Sequence, residues 1–144
     1  MASITGTFAT ATPRLGVEGV TVARGQYTAG GATVSVSDTY LMVKVPNGAT
    51  IIDGYISGTV GTAATLFEIG VIGTADNNLG AGMTLSATAQ LVRFNAGGLP
   101  VKVSLSDDAV PQWAWVGLTV ASSASVCATA SINLVVKYVA PGNI

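Results

Sequence analysis

Apolar and polar residues alternate along much of this chain, in short segments separated by glycine and proline. Period-two alternation is typical of a strand with one face on a core, and no window sustains the spacing of an amphipathic helix between helix caps. We predict strands over residues 17–27, 32–45 (with 37–39 as a candidate break), 50–57, 65–72, 101–105, 113–120 and 128–139. Residues 83–94 fit either a strand or a short helix around 87–91.

Turn-forming residues separate these segments at roughly ten-residue spacing. Pro46-Asn47-Gly48 is a strong turn signal, because proline fixes φ and Asn-Gly tolerates positive φ. Residues 75–80 are predicted to form a polar loop. Eight or so strands predict an all-β, two-sheet antiparallel sandwich of jelly-roll type, with an immunoglobulin-like sandwich as the alternative. We predict an N-terminal arm over residues 1–16 and a single β-sandwich domain over 17–144.

Charge is scarce in this sequence. Only 9% of the 144 residues are Asp, Glu, Lys or Arg, and the net charge is −1, whereas about 25% of a typical soluble domain is charged. One explanation is a neutral polar surface made of Ser, Thr, Asn and Gly. We favour the other, in which neighbours in an assembly cover much of the surface, because weakly charged surfaces favour association.

The composition also argues against several classes of protein. The six Lys and Arg residues are scattered, so no basic stripe predicts nucleic-acid binding. No apolar run reaches the roughly 18 residues that a membrane helix needs. The N-terminus lacks the features of a signal peptide, so we expect assembly in a cytoplasm. The single cysteine, Cys127, has no internal disulfide partner, and we expect it to be a small buried hydrophobe.

Catalytic chemistry finds little support in these residues. Histidine is absent, which removes the commonest general base and metal ligand, so we expect no enzyme, no cofactor and no metal site. Glu68 is the only acid in an apolar strand, and we expect it to pair with a buried arginine or to face a subunit boundary. Asp76-Asn77-Asn78 and Asp107-Asp108 are oxygen-rich but lack EF-hand spacing; Asx turns explain them equally well, and calcium binding stays open.

Two tryptophans are the most conspicuous candidates for recognition. Trp113 and Trp115 are two residues apart on a predicted strand and therefore share a face. Such a pair either stacks a sugar or a base, or serves as a core or interface anchor, and we favour the anchor. Isolated apolar residues in the arm supply further anchors. We predict an interface that involves Ile4, Phe8, Arg14, Trp113 and Trp115.

Three stretches resemble the small cement, or head-decoration, proteins of tailed bacteriophages. The first is a strand, the turn Pro46-Asn47-Gly48-Ala49 and a second strand, over residues 40–54. The second, over 66–77, is a strand that enters an acidic loop, and the third is the final strand pair between Asp107 and Tyr138. The resemblance implies a jelly-roll subunit that sits on a capsid lattice and clamps adjacent major capsid proteins, with no catalytic residues.

The resemblance also implies a homo-oligomer, a dimer or trimer, whose terminal arm reaches neighbouring subunits. The expected partner is the major capsid protein, and the expected location is the virion, assembled in the host cytoplasm, with no contact to nucleic acid or membrane. Two alternatives remain open: a phage tail or adhesion component, and a carbohydrate-binding β-sandwich that uses the two tryptophans.

Overall fold

A computed structural model describes residues 3–5, 19–28, 36–60, 65–73, 75–86, 88–95, 99–106, 108–123 and 131–140 of the protein. These ranges contain ten strands: β1 Ser3–Thr5, β2 Val20–Thr28, β3 Thr39–Pro46, β4 Thr50–Thr59, β5 Thr65–Val71, β6 Ala75–Leu85, β7 Gln90–Arg93, β8 Val101–Lys102, β9 Trp113–Ser123 and β10 Ser131–Val139. Within the same ranges, no helix is long and apolar enough to cross a membrane.

The strands form two sheets. Sheet A has the order β1-β3-β9-β5-β6, and sheet B has the order β2-β10-β4-β7, with β8 paired to β4 beside β7. Among β2 to β10, every pairing is antiparallel, and the chain changes sheet at each connection except the β5–β6 hairpin and the step from β7 to β8. An immunoglobulin sandwich instead keeps several consecutive strands in one sheet. The order β2-β10-β4-β7 opposite β3-β9-β5-β6 is a jelly roll, which confirms the predicted fold class.

β1 lies within the predicted arm and pairs with β3 in parallel, with Ser3 opposite Thr39 and Thr5 opposite Leu41. This short strand places part of the N-terminal segment at the edge of sheet A. The boundary between an arm and a domain at residue 16 stays a prediction, because residues 6–18 lie outside the described part of the chain.

The core lies between the two sheets and contains the inward faces of their strands. On β10, the side chains of Ile132, Leu134, Val136 and Tyr138 are buried. Tyr27 of sheet B and Tyr40 of sheet A meet edge to face across the sandwich, with ring centroids 4.7 Å apart. The largest fully buried side chains include Tyr40, Tyr138, Phe67, Met42, Ile51, Ile69, Met83 and Leu118. Apolar burial of this kind is the main stabilising contribution that a sandwich has.

The predicted break at residues 37–39 is confirmed for Ser37, which has a φ of 75°, and for Asp38, whereas Thr39 already belongs to β3. The predicted polar loop over residues 75–80 is wrong, because these residues begin β6. The side-chain oxygen of Asn78 accepts a hydrogen bond from the Val71 amide at 3.1 Å, so the asparagine supports the β5–β6 hairpin. Residues 83–94 contain the end of β6 and all of β7, and the helix alternative is wrong for the described residues there.

Candidate interaction surface

The two tryptophans project from the outer face of sheet A. Along β9, Ala114, Val116 and Leu118 are buried, whereas Trp113 and Trp115 are half-buried. Their ring centroids lie 5.3 Å apart with an interplanar angle of 90°. Edge-to-face contact is a favourable geometry for aromatic rings, worth about 0.5–1.5 kcal/mol beyond area burial. The predicted shared face is therefore confirmed, and the two rings support each other.

Lys44 completes this cluster from the neighbouring strand. Antiparallel register places Lys44 of β3 opposite Trp115 and Pro46 opposite Trp113. The lysine Nζ lies 4.4 Å from the Trp113 ring centroid and 5.3 Å from that of Trp115. A cation over an indole face contributes about 0.5–1 kcal/mol at an exposed site. We call Lys44, Trp113 and Trp115 the indole cluster; its side chains are ordered against one another before any partner binds.

A glycine pair lies on the same face, farther along the strands. Gly70 of β5 is directly opposite Gly117 of β9. A Cβ on Gly117 would lie 2.2 Å from the backbone oxygen of Tyr40, so β3 and β9 approach too closely there for any side chain. The half-buried side chains of Leu41 and Ile72 flank this pair. Directly beside the indole cluster, the face therefore has no protruding side chain at the glycine pair, and the flanking side chains are apolar.

Asn47, in the turn after β3, holds the segment that precedes β9. Its Oδ1 accepts a hydrogen bond from the Leu105 amide at 2.7 Å, and its Nδ2 donates to Gln112 Oε1 at 2.8 Å. Gln112 Nε2 in turn donates to the carbonyls of Ser106 and Ala109, at 3.0 and 2.7 Å. We call residues 103–106 and 108–112 the clasped loop. Asn47, which belongs to the predicted turn, therefore also holds the clasped loop in place through these hydrogen bonds.

Val110 stands at the exposed part of the clasped loop. Its side chain is 95% exposed, more than any of the other large apolar residues of the described chain. It lies three residues before Trp113, on the end of the molecule where β3 turns into β4. A fully exposed valine on a hydrogen-bonded loop has little conformational entropy to lose when a partner covers it. Val110 and the indole cluster together form the candidate interaction surface.

Of the other predicted interface residues, the structure describes only the backbone of Ile4. The backbone of Ile4 lies in β1, in register with Tyr40. Phe8 and Arg14 lie outside the described residues. Lys44 and Val110 were not predicted. The cross-strand pairing that brings Lys44 to the tryptophans depends on a bulge between Leu41 and Val43, which no sequence signal indicates.

The candidate acidic groups do not converge in the described structure. Glu68 is half-buried on the outer face of β5, opposite Thr119. Asp53 lies 4.0 Å from Arg93 across sheet B. The Asp108 amide donates to Ser106 Oγ at 3.1 Å, within the clasped loop. No group of three or more His, Cys, Asp or Glu that would suit a metal ion occurs among the residues searched, which are the described ones.

Solved structures with a similar fold come from phage capsids. A chain of the capsid of Ralstonia phage GP4 matches with a TM-score of 0.77 and 23% identity, over 96% of this chain and 98% of that chain. A chain of the capsid asymmetric unit of cyanophage Pam1 matches with a TM-score of 0.66 and 21% identity, over 92% and 96% of the two chains. A chain of the acidic stable capsid of Helicobacter pylori bacteriophage KHP30 matches with a TM-score of 0.54 and 14% identity, over 88% and 92%.

No protein-family model matches the sequence, and no curated protein matches it significantly. At the identities of the three capsid chains, the likeness establishes a shared fold. The coverage is high in both directions, at least 88% of this chain and at least 92% of each capsid chain, so the fold is shared along nearly the whole of both.

Proposed function

We propose that this protein is a virion structural protein that binds the outside of a phage capsid lattice and stabilises it by clamping neighbouring major capsid proteins. The observation that carries the proposal is the match of 96% of this chain to 98% of a chain from a phage capsid. Two chains that share a fold over nearly their whole lengths are candidates for similar positions in similar assemblies. The proposed location is the virion, after assembly in the host cytoplasm.

The surface of the described chain supports this role. Only 13 of the 144 residues carry a full charge, 6 cationic and 7 anionic. The indole cluster and Val110 supply aromatic and apolar groups whose positions are fixed before binding, which is typical of interface anchors. Each buried square ångström of such apolar surface contributes about 25 cal/mol. One contact of this size is weak, but a shell repeats it in many copies that act together.

A clamp requires at least two contacts for each subunit. The indole cluster, on the outer face of β3 and β9, and Val110 of the clasped loop are together the first contact that we propose. The arm over residues 1–16, with Ile4, Phe8 and Arg14, is proposed to reach a neighbouring subunit. A dimer or trimer of this chain would multiply both contacts on the lattice.

The geometry disfavours a sugar-binding module. A sugar ring stacks on an open indole face, but the ammonium of Lys44 lies over both rings. The two rings are also perpendicular and so form no continuous platform. A tail or adhesion component is a second candidate within the virion. The three similar folds, however, all come from capsids.

Co-sedimentation with capsids that lack this protein tests the proposal. We expect the wild-type chain to pellet with the particles at saturable stoichiometry. Val110→Asp should weaken binding by about 10- to 100-fold, because it replaces a valine worth about 1.5–3 kcal/mol when buried. Val36→Asp is the matched control. Val36 is also an exposed valine, at 55%, but it precedes β3 and belongs neither to the indole cluster nor to the clasped loop. Failure of the wild-type chain to pellet at any concentration would contradict the proposed function.

A further inference from the structure

The fold gathers most of the cationic residues on one surface. Four of the six Lys and Arg side chains belong to the outer face of sheet B: Arg24 on β2, Lys137 on β10, Arg93 on β7 and Lys102 on β8. The residues of β10 on either side of Lys137 point into the core, so Lys137 itself points outward. The residues paired with it on the neighbouring strands point outward too. Strand and residue spacings place the four Cα atoms within about 20 Å of one another.

Negative charge is nearly absent from the same face. Asp53, opposite Lys137, is the only carboxylate there whose side chain is among the described ones. Asp38 and Glu68 belong to sheet A and the turn before it, and Asp108 belongs to the clasped loop. The described part of the face therefore carries four cations against one anion, a charge of +3, whereas the whole chain carries −1. The charges of the described residues are therefore unevenly distributed, with the positive ones concentrated on sheet B.

Exposed apolar side chains lie between these charges. Val20 is 53% exposed, Val22 is 58% exposed and Leu91 is 59% exposed, all on the strands of sheet B. Val22 lies directly beside Lys137, and Leu91 is two residues from Arg93 on the outer side of β7. Tyr55 lies beside Arg93 on the same face, and tyrosine and arginine are both enriched in protein interfaces.

We propose that the outer face of sheet B docks on an acidic protein surface, which under the proposed function belongs to the capsid lattice. The inference thus rests on the proposed function, and it adds a further contact and the chemistry of its partner. The faces of sheets A and B point in opposite directions, so one subunit offers its indole cluster to one neighbour and its cationic face to another. This arrangement bridges two neighbours.

Two other polyanions fit the face less well. A phosphate backbone offers nothing to the exposed valines and Leu91, and the four cations can release fewer counterions than a surface that makes about 6–10 phosphate contacts. The overall charge of −1 gives no long-range attraction to nucleic acid or to an anionic membrane. An acidic protein patch attracts the face at short range and also covers its apolar groups.

Charge neutralisation on this face supplies the test. The variant Arg93→Gln/Lys102→Gln removes two exposed cations, and Asn77→Asp/Ala81→Glu adds two negative charges at exposed positions of β6, in sheet A. Both variants lower the net charge by two. In binding to capsids that lack this protein, we expect the first to weaken affinity about 2- to 30-fold at low salt and to reduce the salt dependence. The second should bind as the wild type does.

The outcomes separate this inference from the proposed function. If the wild-type chain binds capsids and both variants retain its affinity and salt dependence, the inference is overturned and the proposed function stands. If the wild-type chain does not bind, the proposed function itself fails. Zero-length carbodiimide cross-linking of assembled particles is an independent test. Links from Lys102 or Lys137 to carboxylates of another protein support the inference. Links only to a second copy of this chain, or none, overturn it.

Discussion

Substitution of Asn47 probes how firmly the clasped loop is held. Asn47→Ala removes two short hydrogen bonds, from the Leu105 amide at 2.7 Å and to Gln112 Oε1 at 2.8 Å, and a longer one to the Leu105 carbonyl at 3.4 Å. It also leaves the part-buried Leu105 amide without its acceptor. At about 1 kcal/mol for each short bond, plus the cost of the stranded amide, we expect the free energy of unfolding to fall by about 2–3 kcal/mol.

Asn47→Asp is the matched control, because a carboxylate oxygen still accepts from the Leu105 amide. The two bonds that Nδ2 donates are lost, the short one to Gln112 Oε1 and the longer one to the Leu105 carbonyl, so the expected decrease is about 1 kcal/mol. For a chain of this length, 1 kcal/mol corresponds to about 3 °C in Tm. Differential scanning calorimetry should therefore show decreases of about 6–9 °C for the alanine variant and about 3 °C for the aspartate variant.

Amide hydrogen exchange adds a local readout for the same pair of variants. The Leu105 amide should exchange faster in Asn47→Ala and keep its protection in Asn47→Asp, because only the aspartate retains the acceptor. Equal Tm values for the alanine variant and the wild type would refute the reasoning. So would a loss of Leu105 protection in the aspartate variant that matches the loss in the alanine variant.

Four further substitutions have expected outcomes that calorimetry or fluorescence can check. Gly117→Ala should destabilise the fold by about 2–3 kcal/mol, since its Cβ would meet the Tyr40 carbonyl; an unchanged Tm would show that β3 yields easily. Phe67→Ala, at a fully buried position, should cost about 3–5 kcal/mol, while Leu91→Ala, at a 59% exposed position, should change the unfolding free energy by less than about 0.5 kcal/mol. Lys44→Met should cost about 0.5–1 kcal/mol and shift the indole emission; identical emission spectra would argue against the cation–π contact.

The sequence was sufficient to predict the strands with clear alternation. On β9 and β10, buried and less buried positions alternate except at Gly117 and Val135, which are also buried. The period of two places the tryptophans on the outer face without any knowledge of the partner strands. The choice of a jelly roll also followed from the number and spacing of the strands. These features are local, so a local pattern determines them.

Features that depend on register between distant segments were not predictable. The start of β6 contains Asp76-Asn77-Asn78, residues that favour turns, yet the Val71 amide donates to Asn78 and Leu79 is fully buried, so the hairpin overrides local preference. The contact between Lys44 and the tryptophans requires the bulge in β3 and its pairing with β9. Local propensity contains no information on either pairing.

The gathering of cations shows the same limit for charge. Arg24 and Lys137 are more than a hundred residues apart in sequence, but β2 and β10 are neighbours in sheet B. A count along the chain describes the cations as scattered, whereas the register places four of them on one face. Low total charge and a polarised surface are therefore compatible in one small protein.

The heat stability of phage particles that lack this chain, measured with and without added purified protein, tests the central claim most directly. We expect the protein to pellet with the particles and to raise the temperature at which they release their DNA, up to the point where its sites are saturated. Val36→Asp should stabilise the particles as the wild type does, and Val110→Asp should require a higher concentration. A protein that stays in the supernatant, with an unchanged release temperature, would contradict the account.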